Sequence, residues 1–479
     1  MKLRPEIALT FDDVLLVPQR SSIRSRHAVH THTQFSRRLG LSIPIVSSNM
    51  DTVTEATMAQ TMARLGGLGV IHRFMTIEQQ AAEVMRVKRT EGFIVEHPHS
   101  LSANATVQDA RARLEEHSIG GLVVLGTNNE VVGLVSTRDL MFERNVERSV
   151  TEVMTPREKL ITVDENTSLE EARAVLHKSR VEKLPVVDGA GQLHGLITAQ
   201  DIVKMEQWPD ATKDERGRLR VAAAIGIRSS DLERAAACVD AGVDALVVDI
   251  AHGHSDGALE MVRALKERFP QVDIVGGNVA TAQGTRDMIE AGADAVKVGV
   301  GPGSICITRV VTGFGVPQLS VVAECAEVGR ELGVPIIADG GIRTSGDITK
   351  AVAAGASTVM LGSLLAGTDE SPGANVSRNG QRYKIVRGMA SLSANIDRQE
   401  VEGRDVDPDD WDRVVAEGVE AMVPVRGPVK DIVYQLVGGM RSGLSYAGAA
   451  TIPELWEKAE FVRITSAGKA ESGAHDVKL

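Results

Sequence analysis

One cysteine set among glycines, in the run GPGSICITR (301–309), is the residue of this chain best suited to covalent chemistry. The thiolate is the reactive form of cysteine, and a loop rich in backbone N–H donors, with Arg309 close by, favours it at Cys306. A loop thiol without a chemical role is the alternative reading of the same residue. The other two cysteines sit differently. Cys238 (ERAAACVDAG) and Cys325 (VVAECAEVG) fall in helical patterns beside Ala and Val, where a small buried hydrophobe is the expected role. Three cysteines make neither a disulfide framework nor a structural zinc site.

A nucleophile needs elements to hold it, and the chain supplies eight short apolar runs, each followed by a helical pattern. They are 43–48 (IPIVSS), 67–72 (GLGVIH), 219–226 (LRVAAAIG), 244–250 (DALVVDI), 272–278 (VDIVGGN), 294–300 (DAVKVGV), 334–341 (VPIIADGG) and 357–363 (STVMLGS). Near-continuous apolar strands alternating with helices predict a parallel (β/α)8 barrel of the TIM type. A doubly wound sheet is the alternative, but no GxGxxG run opens a strand–helix unit. In a barrel the chemistry lies at the C-terminal strand ends. Those ends carry Ser48-Asn49-Met50-Asp51, Asp249-Ile250-Ala251-His252-Gly253, Gly277-Asn278, the cysteine loop, Asp339-Gly340-Gly341 and Gly362-Ser363. The last two follow strands seven and eight, where this fold often binds phosphate through backbone N–H groups. Tight turns alone would also explain either glycine pair.

Composition agrees. Of 479 residues, 43% are hydrophobic, 24% charged and only 3% aromatic, which suits a soluble α/β protein with buried parallel strands. A formal charge of −11 argues against a general nucleic-acid or anionic-membrane surface. The N-terminal run MKLRPEIALTFDD has no hydrophobic signal core, so a cytoplasmic location is expected.

The chain also repeats itself. Residues 107–139 align with 169–201 without a gap: Ala110 with Ala172, Leu114 with Leu176, Leu122 with Leu184, Gly133 with Gly195 and Asp139 with Asp201. Each copy predicts a helix, two short strands and a further helix start, and the pair interrupts the barrel between strands two and three. The expected organisation is a first barrel part over 1–94, an inserted module over 95–210 with copies at about 95–153 and 154–210, and a second barrel part over 211–479. The two copies resemble a tandem cystathionine-β-synthase-type (CBS) module. That resemblance implies ATP or GTP in the cleft between them, with Asp139 and Asp201 reaching a ribose. A packing domain without ligand, with each Asp an ordinary helix cap, is the plainer alternative.

The motifs LTFDDVLLVP, MDTVTE, DIAHGHS, GGNVAT, KVGVGPGSICITR, ADGGIR, VMLGSLLAG, RGM and SAGKAESGAHDV, in order along the chain, resemble the IMP dehydrogenase and GMP reductase superfamily. The resemblance implies that Cys306 attacks purine C2 to form a thioimidate. It places Ser304, Asp339, Gly341, Gly362 and Ser363 at the phosphate and ribose, and Ser48, Met50, Gly388 and Met389 against the nucleotide. Asp249, Ile250, Ala251, Asn278, Gly299 and Gly301 would lie near a nicotinamide cofactor. It further implies a potassium ion held by backbone carbonyls of Gly301, Gly303 and Cys306 together with Glu471, Ser472 and Gly473 of a neighbouring subunit. A homotetramer, or an octamer of stacked tetramers, follows from that.

Both activities of the superfamily share the thioimidate, so they divide on its fate. A dehydrogenase hydrolyses it, using an Arg-Tyr pair on a flap, here about 390–425. That flap holds no tyrosine, and the chain has only Tyr383, Tyr434 and Tyr446. Arg398, Arg404 and Arg413 are the arginines near enough in sequence to substitute for the pair. Asn49 also resembles the reductases, whose Thr and Glu for handling departing ammonia match Thr308 and Glu417. Val386 stands where dehydrogenases carry a phosphate-contacting tyrosine. The inserted module and DIAHGHS resemble dehydrogenases instead. The resemblance thus implies GMP reductase, converting GMP to IMP and ammonia with NADPH in purine salvage. NAD-dependent IMP dehydrogenase and a non-catalytic nucleotide sensor are the alternatives.

Overall fold

The structure, a computed structural model, describes residues 3–92, 94–95, 98–117, 119–401 and 415–473, with the side chains at 201, 204–206, 400 and 401 excepted. Contacts divide it into two units: residues 1–90, 210–213 and 219–479, and residues 91–209 with 214–218.

The first unit is a closed eight-stranded parallel barrel. Its strands are β1 (Ile45–Ser47), β2 (Leu68–Ile71), β3 (Ala222–Ile225), β4 (Ala245–Asp249), β5 (Asp273–Val279), β6 (Ala295–Val298), β7 (Ile336–Asp339) and β8 (Thr358–Leu361). All eight apolar runs of the sequence are barrel strands. Helices α1 (Ala56–Arg64), α2 (Ile77–Lys88), α3 (Ser230–Asp240), α4 (Asp256–Arg268), α5 (Ala282–Glu290), α6 (Gln318–Glu331), α7 (Ser345–Ala353) and α8 (Val429–Tyr446) follow them in turn. The ring closes where Val359 of β8 pairs with Ile45 of β1. Strands β2 and β3 pair through Val70 and Ala222 although the inserted unit separates them in sequence.

Side-chain alternation builds two cores. Ile45, Ile71, Ala223, Leu246, Ile274, Val296, Ala338 and Val359 face outward and pack beneath the helices. Val46, Val70, Ala222, Ala224, Ala245, Val247, Val275, Ala295, Ile337 and Met360 fill the lumen, joined by Phe35, Leu39 and Leu41 from the neighbouring hairpin. The lumen is therefore a packed core, as close packing requires. The period of two continues upward: Asp249, Lys297 and Asp339 share the parity of Val247, Ala295 and Ile337, so the uppermost lumen layer is charged.

The inserted unit carries the repeat into structure. Helices Val107–Glu116 and Leu169–Ser179 begin with matching capping boxes, Thr106 with Asp109 and Ser168 with Glu171. The hairpins Gly121–Leu125/Val131–Ser136 and Lys183–Val187/Leu193–Thr198 show register shifts at equivalent places, after Val124 and after Val186. A small core of Val123, Val131, Leu134, Val187 and Leu196 joins the copies. Among the described residues no helix is long and apolar enough to cross a membrane.

Candidate active site

The C-terminal mouth of the barrel holds a cleft with two lobes. One, of about 270 Å³, is lined by Ser48, Met50, Ser304, Arg309, Asp339, Gly341, Arg343, Gly362 and Ser363. The other, of about 360 Å³, is lined by Asn49, Arg73, Asp249, Ile250, Ala251, Asn278, Lys297, Gly299, Gly301, Cys306, Thr308, Gly388, Met389, Arg398 and Glu417. Ser48, Met50, Gly303, Ile305 and Asp339 border both. All the residues expected at substrate and nicotinamide cofactor thus converge on one cleft, together with the three catalytic candidates.

The cysteine loop is shaped by backbone constraints. Gly299 has φ +142°, and a Cβ there would collide with the Asp339 carbonyl oxygen, so only glycine lets β6 turn into the loop. The Cys306 N–H donates to Gly303 O at 3.2 Å. Residues 417–419 then lie alongside: Ile307 N–H donates to Glu417 O at 2.8 Å and Val419 N–H to Ile305 O at 3.0 Å. Gly388 N–H donates to Val419 O at 3.0 Å, which adds the RGM segment to the same patch. Arg387 next to it binds Asp51 at 2.5 Å and Asp397 at 2.6 Å, joining the strand Gln381–Arg387 and the helix Leu392–Val401 to the loop after β1.

Within this frame the Cys306 thiol donates to Thr308 Oγ1 at 3.2 Å. Arg309, expected beside the thiol, is directed elsewhere. Its Nη2 donates to Val316 O at 2.6 Å and its Nε to Val300 O at 3.3 Å, so it braces the loop. Cys238 and Cys325 are buried, and desolvation pushes both thiols up to about 12, far from reactivity at neutral pH.

Lys297 forms the floor of the cleft. It is 2% exposed, and its ammonium meets Asp249 at 2.5 Å and Asp339 at 2.7 Å and also donates to Asn278 Oδ1. Burial alone would lower the lysine pKa, but the two carboxylates outweigh it and hold the group above its ordinary value. Asp249 shows the converse: burial would raise its pKa, yet Lys297 and Asn49 keep it below the usual carboxylate range. Asn49 Nδ2 donates to Asp249 at 2.7 Å, and Asn278 Nδ2 to Asp339 at 2.9 Å. Both carboxylates are therefore held in place at the floor of the cleft. Lys297 and Arg343 were not picked out as site residues from the sequence. A lone lysine in the apolar run DAVKVGV, two residues beyond an inward-facing alanine, is the signal for the first.

The remaining candidates are placed but not brought to this cleft. Glu471, Ser472 and Gly473 end the exposed helix Ser466–Glu471 and its C-cap turn, and none of them lines either lobe. Asp139 accepts from Ser136 N–H at 2.8 Å as part of a helix-capping box. Asp201 lies in the helix Ala199–Glu206, its side chain outside the described residues, as are Arg404 and Arg413.

A parallel barrel whose mouth gathers a cysteine loop, a charged lumen layer and a glycine-lined lobe has the layout of an enzyme site. The sequence from 8 to 475 matches the model described as IMP dehydrogenase / GMP reductase domain, and the chain belongs to that family, whose members use a nicotinamide cofactor. It is 54% identical to an inosine-5'-monophosphate dehydrogenase of Nitrosopumilus maritimus, over 98% of each chain. It is 51% identical to a GMP reductase of Leishmania donovani, covering 98% of this chain and 97% of the relative. Among solved structures it resembles a cysteine-to-alanine variant of Trypanosoma brucei GMP reductase in complex with guanosine 5'-monophosphate. That match has a TM-score of 0.88 and 47% identity, covering 99% of this chain and 98% of the other. The same enzyme in complex with guanosine 5'-triphosphate matches with a TM-score of 0.77 and 43% identity, covering 96% and 98%.

Proposed function

We propose that this chain is a cytoplasmic NADPH-dependent GMP reductase. The observation that carries the reading is the content of the cleft. Thr308 touches the Cys306 thiol and Glu417 shares its lobe, while no tyrosine lines the cleft among the described residues. Tyr383 binds Gln381 on the outer strand, and Tyr434 and Tyr446 are exposed on α8.

The 5'-phosphate enters the lobe of Ser304, Gly341, Gly362 and Ser363, and the ribose hydroxyls meet Asp339. Cys306 as thiolate attacks C2 of GMP. The C2–N bond then breaks and the amino group leaves as ammonia, taking its proton through Thr308 and Glu417. NADPH, when bound beside Asp249, Asn278 and Gly299, supplies the hydride that C2 accepts as the C–S bond breaks, releasing IMP and restoring the thiolate. Without a positioned base for water, the hydrolytic branch is slower by typically 10²- to 10⁴-fold. A dehydrogenase reading is favoured by the Nitrosopumilus relative and by Arg398, which lines the cofactor lobe. The assay separates them. With GMP and NADPH, reduced-cofactor absorbance should fall and ammonia appear, whereas IMP and NAD⁺ should give little xanthosine monophosphate. Steady production of that nucleotide at a rate matching GMP reduction would overturn the assignment.

The repeat supports reading residues 95–210 as a CBS module that binds ATP or GTP, with Asp139 and Asp201 toward the ribose. Potassium at Gly301, Gly303 and Cys306, completed by a neighbour's Glu471, Ser472 and Gly473 in a homotetramer, is chemically consistent with the loop. The Gly303 carbonyl accepts only the Cys306 N–H among the described contacts and keeps a lone pair for a hard cation. Potassium-dependent turnover in a tetramer, measured against lithium, tests this.

A further inference from the structure

The phosphate lobe presents a charge problem. Ser304, Gly341, Gly362 and Ser363 offer neutral donors, whereas a phosphomonoester carries close to two negative charges at neutral pH. Two guanidinium groups line the lobe, and Arg309 is engaged with its own loop's carbonyls. That leaves Arg343, in the loop after β7. Its Nη2 pairs with Asp12 at 2.5 Å and its Nε stands 3.9 Å from Asp347. Two carboxylates around one guanidinium would cancel its attraction for an anion. Asp12, however, accepts with its other oxygen from Lys469 Nζ at 2.6 Å, and Lys350 Nζ is anchored on Phe11 O at 2.9 Å beside the same pair. The cluster then holds three cations against two carboxylates. Lys469 belongs to the helix Ser466–Glu471, far along the chain from any motif of the lobe.

We propose that Lys469 is a positioning residue for phosphomonoester recognition: by occupying the second oxygen of Asp12 it leaves Arg343 a net positive charge facing the phosphate lobe. This rests on the reading that a purine nucleoside monophosphate occupies the cleft. Arg343 and Lys469 are more than half exposed, so the contacts add little to stability, and their effect is on the field in the lobe. The Asp12 carboxyl is held below its ordinary range, first by the Lys469 hydrogen bond, which agrees with a permanently charged bridge.

The test is a charge series at one exposed position, Lys469→Arg, Lys469→Gln and Lys469→Glu, in the full chain. Calorimetric affinity is measured for GMP, IMP and guanosine, together with kcat and both KM values. Affinity for both nucleotides should fall in that order, roughly fivefold for Gln and more for Glu at low salt. The loss should shrink in 0.5 M salt, about the ionic strength at which the screening length falls below 5 Å. Guanosine affinity, kcat at saturating GMP and the KM for NADPH should hold. Nucleotide affinities indifferent to Lys469→Glu, or guanosine weakened equally, would overturn the proposal. If the unaltered protein bound neither GMP nor IMP, the nucleotide reading itself would fall, and this inference with it.

Discussion

Replacing Lys297 with Met should be the most damaging single change in the cleft that leaves Cys306 untouched. Methionine has nearly the volume of lysine, so the lumen stays filled and the effect is electrostatic. Removing one partner of a buried ion pair costs about 3–5 kcal/mol, because the remaining charge is left uncompensated. Here two carboxylates lose their counter-ion, but Asp249 and Asp339 are about a fifth exposed, at 23% and 21%, and water reaches them. The lower end, about 3 kcal/mol, is therefore expected. For a large domain that lowers Tm by roughly 6 °C. The stronger effect is on function: in the proposed reductase Asp339 meets the ribose and Asp249 the cofactor, so KM for both ligands should rise together. Thermal unfolding followed by fluorescence and steady-state kinetics on the same preparation measure both. Removing one of the two uncompensated carboxylates with Asp249→Asn in the Lys297→Met background should recover part of the Tm. Unchanged Tm and unchanged KM values in Lys297→Met would refute the view that this ammonium holds the two carboxylates.

The same network sets a pH window. Lys297 has a folded pKa above the reference 10.5, so its stabilisation is complete below that pH and is lost as pH rises through the higher folded value. Asp249, depressed below 3.8, contributes above that pH and loses its contribution as pH falls through the folded value. The Tm gap between wild type and Lys297→Met should accordingly stay level from pH 5 to 9 and narrow only outside the two limits, as a melting series in buffered steps would show. Cys306→Ala should abolish turnover and keep GMP binding, while Cys238→Ala and Cys325→Ala stay active; iodoacetamide at pH 8 should label Cys306 alone in the folded protein, read by peptide mass. Replacing roughly residues 95 to 209 by a short linker, so that the barrel residues 210–213 are kept, should leave an active barrel whose rate no longer responds to ATP or GTP; an unchanged response would exclude that unit as the sensor.

The eight strands were legible because a strand buried on both faces has to be almost wholly apolar, and the repeat because two copies carry the same pattern. Cys306 and Thr308 could be read together since they share one loop. Glu417 could be matched through the family resemblance, but the pairing of residues 417–419 with Ile305 and Ile307 rests on backbone hydrogen bonds, which leave no mark on side-chain type. The contacts of Asp12 with Arg343 and Lys469 join three distant segments through ordinary surface charges, and no local pattern announces them. Arg309 shows the opposite limit. Its proximity to the cysteine was plain in the sequence, but which way its side chain turns depends on the carbonyls of Val300 and Val316 in the folded loop.

The pairing of β2 with β3 bears on how the chain can be assembled during synthesis. These neighbours leave the ribosome about 150 residues apart, and until they meet, β1 and β2 have only each other and expose unsatisfied edges. Closing an open loop of that length costs about 1.5 kcal/mol more entropy than closing one of about 30 residues. An inserted unit that folds as soon as it emerges shortens the flexible path to the latter length before the third barrel strand is made. The insertion then serves the barrel as an early staple, and variants that unfold the module while leaving its sequence in place should slow refolding of the barrel more than outright deletion does.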